Sequence, residues 1–122
     1  MTTEDLSTEA RMWKLVQRLH AKTAAGELQW DKTVSKNTFQ TAFPSYVVRV
    51  SVDYPEDAEA PDYHVAVRDG AGTTIESVSD RQVHNALPDS NAFTLMGELF
   101  TMARRTALGV NQALESLLNE LN

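Results

Sequence analysis

His64 and Asp53 are the two side chains whose types combine most readily into chemistry, because a carboxylate that orients an imidazole leaves it able to act as a general base. They stand in neighbouring segments of alternating hydrophobicity. When Tyr54 is set opposite Tyr63, Asp53 falls opposite His64 on the outer face of a sheet. A catalytic dyad also needs a nucleophile and a water-poor pocket, and an outer sheet face offers neither. A cross-strand ion pair is the simpler reading. The same register sets Arg49 opposite Arg68, and like charges directly opposite are unfavourable. Either Glu76 or a partner's carboxylate stands between them, which would mark a surface for an acidic partner, or the register is different.

Other candidates are weaker. Arg104-Arg105 forms an adjacent basic pair, and arginines grip carboxylate and phosphate well; offset from the apolar stripe of an acidic chain, the pair reads as solvated. Asp53, Glu56, Asp57, Glu59 and Asp62 crowd one loop as oxygen ligands for a hard cation would. The loop lacks the Asp-x-Asp-x-Asp-Gly pattern, and Pro55, Ala58, Ala60 and Pro61 interrupt it, so it reads as a solvated hairpin loop that would attract a basic partner. His20 and His84 have no His-x-x-x-His spacing, and His20 reads as a histidine at the core edge. Asp69-Gly70-Ala71-Gly72 lacks the lysine and following helix of a phosphate loop, and there is no Gly-x-Ser-x-Gly elbow. Trp13 and Trp30 read as core anchors. No catalytic, cofactor-binding or metal-binding residue is assigned. The candidate interaction surface is Arg49, Asp53, His64, Arg68, Arg104 and Arg105.

The elements that must position these residues are legible from periodicity. Met12, Leu15, Val16 and Leu19 lie on one face of a helix placed at 5–25, capped by Ser7 or Thr8 and ended by Gly26. Glu27 to Lys36 reads as a turn or irregular strand. Phe39 and Phe43 mark a short strand. Tyr46, Val48, Val50, Val52 and Tyr54 then alternate with polar positions, and Tyr63, Val65 and Val67 do so again. A turn at Asp69–Gly72 leads to a strand near Thr74–Val78. With no connection long enough for a parallel crossover, these strands form a three- to four-stranded antiparallel meander. Ser79-Asp80-Arg81-Gln82 has capping-box spacing, which predicts a short helix near 80–87. Beyond Pro88–Asn91 comes a long helical region. Phe93, Met96, Phe100, Ala103, Ala107, Val110, Leu114, Leu117 and Leu121 recur in it at steps of three and four. It is one helix or two, and a break or kink at Gly109 is favoured. The expected architecture is α+β in a single domain, 1–122, with the helices covering one face of the sheet.

With 122 residues there is room for one core, and a formal net charge of −6 gives the chain nothing to gain from neutralising phosphates. Nucleic-acid and membrane partners are therefore not expected. The absence of cysteine excludes disulfides, thiolate metal sites and cysteine nucleophiles. The acidic Met1–Asp5 lacks signal-peptide character, and no apolar run is long enough to span a bilayer, so a cytoplasmic location is expected.

Thr23-Ala-Ala-Gly26-Glu-Leu28-Gln-Trp30 and Ala103-Arg104-Arg105-Thr106-Ala107-Leu108-Gly109-Val110, with the helix–meander–helix order, resemble small bacterial proteins of unknown function. That resemblance implies no activity and no site residues. Acidity and layout also look like type III secretion chaperones, which are small acidic dimers. Those place a helix between their third and fourth strands, where this chain has a turn of few residues. The function expected is a non-enzymatic protein-interaction module without cofactors, binding a protein partner or itself. A stripe from Phe93 to Leu121 would run about 43 Å if straight, too long to be covered within a domain of this size. An immunity or antitoxin-type inhibitor of a basic partner fits as well. The alternative is a small enzyme or ligand binder using the His64/Asp53 face.

Overall fold

The computed structural model describes residues 7–122. The first helix, α1, spans Thr8–Ala24, and residues 5 and 6 of the expected helix lie outside the described residues. The Ser7 hydroxyl accepts from the Ala10 N–H at 3.1 Å, and Glu9 sits favourably in the first turn. At the other end Gly26, at φ +74°, makes the left-handed turn that lets its own N–H reach Thr23 O and the Glu27 N–H reach Lys22 O. Met12, Trp13, Val16 and Leu19 are buried, with Leu15 packed at their margin.

Five antiparallel strands follow, β1 (Asp31–Lys32), β2 (Thr38–Ala42), β3 (Tyr46–Asp53), β4 (Asp62–Asp69) and β5 (Thr74–Ser79), neighbouring one another in chain order. The strand beyond the expected three to four is β1, an edge of two residues too short to show alternation. Its position is set by Trp30, which is buried and donates its indole N–H to Thr23 Oγ1 at 3.0 Å. Phe39, Val48, Val50, Val52, Val65 and Val78 line the inner face.

The β3–β4 register differs from the expected one by two residues. Val52, not Tyr54, opposes Tyr63; Ser51, not Asp53, opposes His64; Ala66, not Arg68, opposes Arg49. A shift of two keeps every side chain on its expected face. The loop 54–61 is too long to dictate register as a tight turn does, so packing decides. The Tyr63 ring lies 5.5 Å from Phe93 and 6.0 Å from Phe100, beside Val52, and leaves Tyr54 outside.

The helix α2 (Asp80–Ala86) opens on the expected capping box. Ser79 Oγ accepts from the Gln82 N–H at 3.1 Å, and Gln82 Oε1 accepts from the Ser79 N–H at 2.8 Å. The C-terminal region is two helices, α3 (Ala92–Leu108) and α4 (Val110–Glu120), broken at Gly109 with φ 64°. Ala92, Met96, Leu99, Phe100 and Ala103 bury the inner stripe of α3, and Phe100 meets Phe39 at 5.6 Å between ring centroids. The chain is thus α+β, with α1 packed on α3 and α3 on the sheet. No helix among the described residues is long and apolar enough to cross a membrane.

Candidate interaction surface

The outer face of the sheet brings four of the six candidate residues together. His64 Nε2 lies 3.1 Å from Asp53 Oδ2, so the pair forms, but diagonally across β3 and β4 and not directly opposite. Arg49 and Arg68 are likewise diagonal. Proximity still tells: burial first, and Arg68 second, hold the Arg49 guanidinium below the ordinary arginine range. Glu76 does not stand between them. It opposes Val67, on the face shared with Val65 and Val78, and its carboxylate accepts from the Ser77 N–H. The two arginines are instead held by neutral acceptors. Arg49 Nε donates to Gln40 Oε1 at 3.0 Å, and Arg68 Nε donates to the Gly72 carbonyl at 3.0 Å. This face is a polar strip with two positive charges and one ion pair.

Arg104 and Arg105 are exposed on the last turns of α3, on the helical side of the sheet, so the six residues do not form one surface. The two arginines also part from each other. Arg105 borders a shallow cleft with His20, Tyr63, Gly97 and Glu98, in which His20 Nε2 and Glu98 Oε1 are 2.9 Å apart. Arg104 borders a depression with Asn37, Phe39 and Leu108.

The largest cleft, about 810 Å³, opens between residues 58–62, α2 and the start of α3. Three of its polar lining residues are engaged with one another or with the backbone. The buried Asp80 carboxylate accepts from the Tyr63 N–H at 2.8 Å, and Arg81 donates to Asp62 at 3.1 Å. Among the described residues no three His, Asp or Glu side chains are grouped to hold a metal ion.

The helical layer carries two further features. Arg11, Lys14, Arg18 and Lys22 recur at steps of three, four and four and form one exposed basic ridge on α1, four of the eleven cations of an acidic chain. That spacing is visible in the sequence, but the net charge draws attention away from it. Beside the ridge, Leu15, Leu19, Leu28 and Phe43 line an apolar groove of about 150 Å³, with Arg18 and Lys22 on its rim. The second feature is α4. The break at Gly109 does not tuck it onto the core, since none of its residues is buried and its contacts are chiefly with α3. Leu114, Leu117, Leu118 and Leu121 remain 54%, 52%, 68% and 82% exposed. No protein-family model, curated protein or solved structure matches the chain.

Proposed function

We propose that this chain is a non-enzymatic protein-interaction module of the cytoplasm, and that α4 is the element by which it binds. The observation that carries this reading is the row of exposed leucines on α4. Leu114, Leu117 and Leu121 continue the stripe that α3 buries, yet past Gly109 the same periodicity faces water. An 11-residue helix is too short to be stable in water by itself. A covering partner would supply both the burial and the order. Contiguous apolar patches of this kind on soluble proteins mark places where another surface docks.

The reading accounts for the other surfaces without chemistry. The His64–Asp53 pair ties two strands together on an open face. Asp80 and Arg81, beside the large cleft, tie the start of β4 to α2. The type III secretion-like chaperone and the immunity or antitoxin-type inhibitor are both special cases of such a module, differing in the partner.

The test is to purify the wild-type chain and Leu117→Glu from the natural host and compare what accompanies each in stoichiometric amount, whether a second copy or another protein. Circular dichroism would verify that the variant folds, as expected for a position exposed in the single chain. Loss of the companion from the variant supports the reading. An identical, companion-free preparation in both cases refutes it.

A further inference from the structure

We infer that the occupant of the groove beside α1 is α4 of a second copy of this chain, so that two copies exchange their C-terminal helices and close a two-fold pair. This rests on the reading of α4 as a binding element and goes further by naming both what α4 binds and where.

Three observations converge on it. The first is shape and polarity. The groove is lined by Leu15, Leu19, Leu28 and Phe43, and its volume of about 150 Å³ takes one large aliphatic side chain. The outward face of α4 supplies such side chains at Leu114, Leu117, Leu118 and Leu121.

The second is charge. The charged residues of α4 are Glu115 and Glu120, with no lysine or arginine between Val110 and Glu120. The groove is rimmed by Arg18 and Lys22 and continues along the ridge to Lys14 and Arg11. Lys22 shares Glu27 at 2.8 Å, whereas Arg18 meets no carboxylate among the described residues. An acidic amphipathic helix is the complement of a basic-rimmed apolar groove. Two α4 helices packed on each other would set acid against acid.

The third is position. Leu108, next to Gly109, borders the same depression as Asn37 and Phe39, at the start of β2. Phe43 lies beyond the other end of that strand. Six residues of extended chain span about 20 Å, while Leu117 lies only about 12 Å along α4 from Gly109. A helix pivoting at Gly109 does not carry Leu117 that far, so the inferred donor of the helix is a neighbouring copy. Each copy then donates one helix and accepts one, which closes the assembly.

The experiment is sedimentation velocity on the full chain over a wide concentration range, with circular dichroism on every variant. The wild type should pass from 13.6 kDa to twice that mass. Leu117→Glu should weaken the pair by at least ~30-fold. Arg18→Glu with Lys22→Glu, and separately Glu115→Lys with Glu120→Lys, should each weaken it by about tenfold, and combining all four should restore most of the loss. If Leu117→Glu dissociates the pair and Arg18→Glu with Lys22→Glu does not, the groove assignment is overturned while α4 remains the binding element. A wild type that stays monomeric at every concentration overturns the inference. In that case a foreign companion lost on Leu117→Glu still leaves the interaction reading standing. Masses that grow beyond the dimer also overturn it, because they require an open chain of contacts.

Discussion

Gly109→Ala tests whether a single backbone conformation aims α4. Gly109 has φ 64° and ψ 37°, in the left-handed region. A methyl group there would meet nothing nearer than Gln112 Oε1 at 3.6 Å, an ordinary contact, so the penalty is conformational. Holding an L-residue in that region costs about 1–2 kcal/mol. If the helix instead runs straight through, alanine gains about 1 kcal/mol over glycine. The two effects add to roughly 2–3 kcal/mol in favour of one unbroken helix, a shift of about 30- to 150-fold in the balance of the two forms. Because the chain has no cysteine, Thr94→Cys and Asn119→Cys accept a pair of spin labels without interference. Both sites are exposed. Pulsed dipolar spectroscopy should report a shorter separation in the broken wild type and about 37 Å in Gly109→Ala, the length of 25 residues of straight helix. An unchanged distance distribution would refute the reasoning, because contacts and not the glycine backbone would then be holding the bend.

Three further outcomes follow from the core around Tyr63. Asp80→Ala strands the Tyr63 N–H that the buried carboxylate satisfies at 2.8 Å, and should cost about 1–3 kcal/mol in urea denaturation. Asp80→Asn retains an acceptor oxygen and should cost less; equal losses would refute the role of the bond. At Gly97 an added methyl comes within 3.1 Å of the Tyr63 ring, so Gly97→Ala should destabilise by up to about 2 kcal/mol, the overpacking outweighing the helix propensity gained. In a Tyr63→Leu background the same change should instead stabilise, by about 1 kcal/mol, and a sign that fails to reverse would refute the steric account. The Tyr63 phenol titrates above the ordinary tyrosine value, first because burial disfavours the phenolate, then because Tyr54 and Asp80 lie close. A raised acid favours the folded state while it stays protonated. Its contribution is therefore complete below pH ~10 and is lost as pH rises through the folded value. Stability measured from pH 8 to 11 should fall more steeply in wild type than in Tyr63→Phe, and parallel curves would contradict it.

The helices and the faces of the strands were legible because burial imposes periods of 3.6 and 2. Val16, Val50 and Val65 are buried where those periods place them. Register was less legible. Tyr54 and Val52 lie on the same parity, so alternation alone cannot choose between them as partners of Tyr63; the choice is made by Phe93 and Phe100, distant in sequence. The strand β1 was invisible because two residues show no period. At the candidate surface, the His64–Asp53 contact forms in either register because a diagonal neighbour is still within reach of a histidine. The division of Arg104 from Arg105 depends on which way α3 faces, which adjacency in sequence does not reveal. The exposure of α4 was not legible either, since a stripe at helical spacing reads the same whether it is covered within the chain or by another molecule.

Magnitudes favour the helix over the sheet face as the seat of the proposed interaction. His64 and Asp53 keep 34% and 71% of their side-chain surface in water, and an ion pair so exposed contributes at most about 1 kcal/mol. That is enough to help align two strands. Leu114, Leu117 and Leu118 on α4, and Leu121 at its C-cap, each leave half or more of their surface exposed. Fully burying a leucine is worth about 1.5–3 kcal/mol, so each retains roughly 1 kcal/mol or more to be released on contact with an apolar surface. Four of them on one face of a short helix exceed anything the polar face offers. In the inferred pair the basic ridge on α1 would supply direction, because charges at the edge of an apolar contact select which helix seats there and in which orientation. The net charge of −6 conceals this local polarity: the chain is acidic on α4 and in the loop 54–61, and basic along α1. That polarity is what the inferred pairing of two copies requires, and a uniformly acidic surface would not supply it.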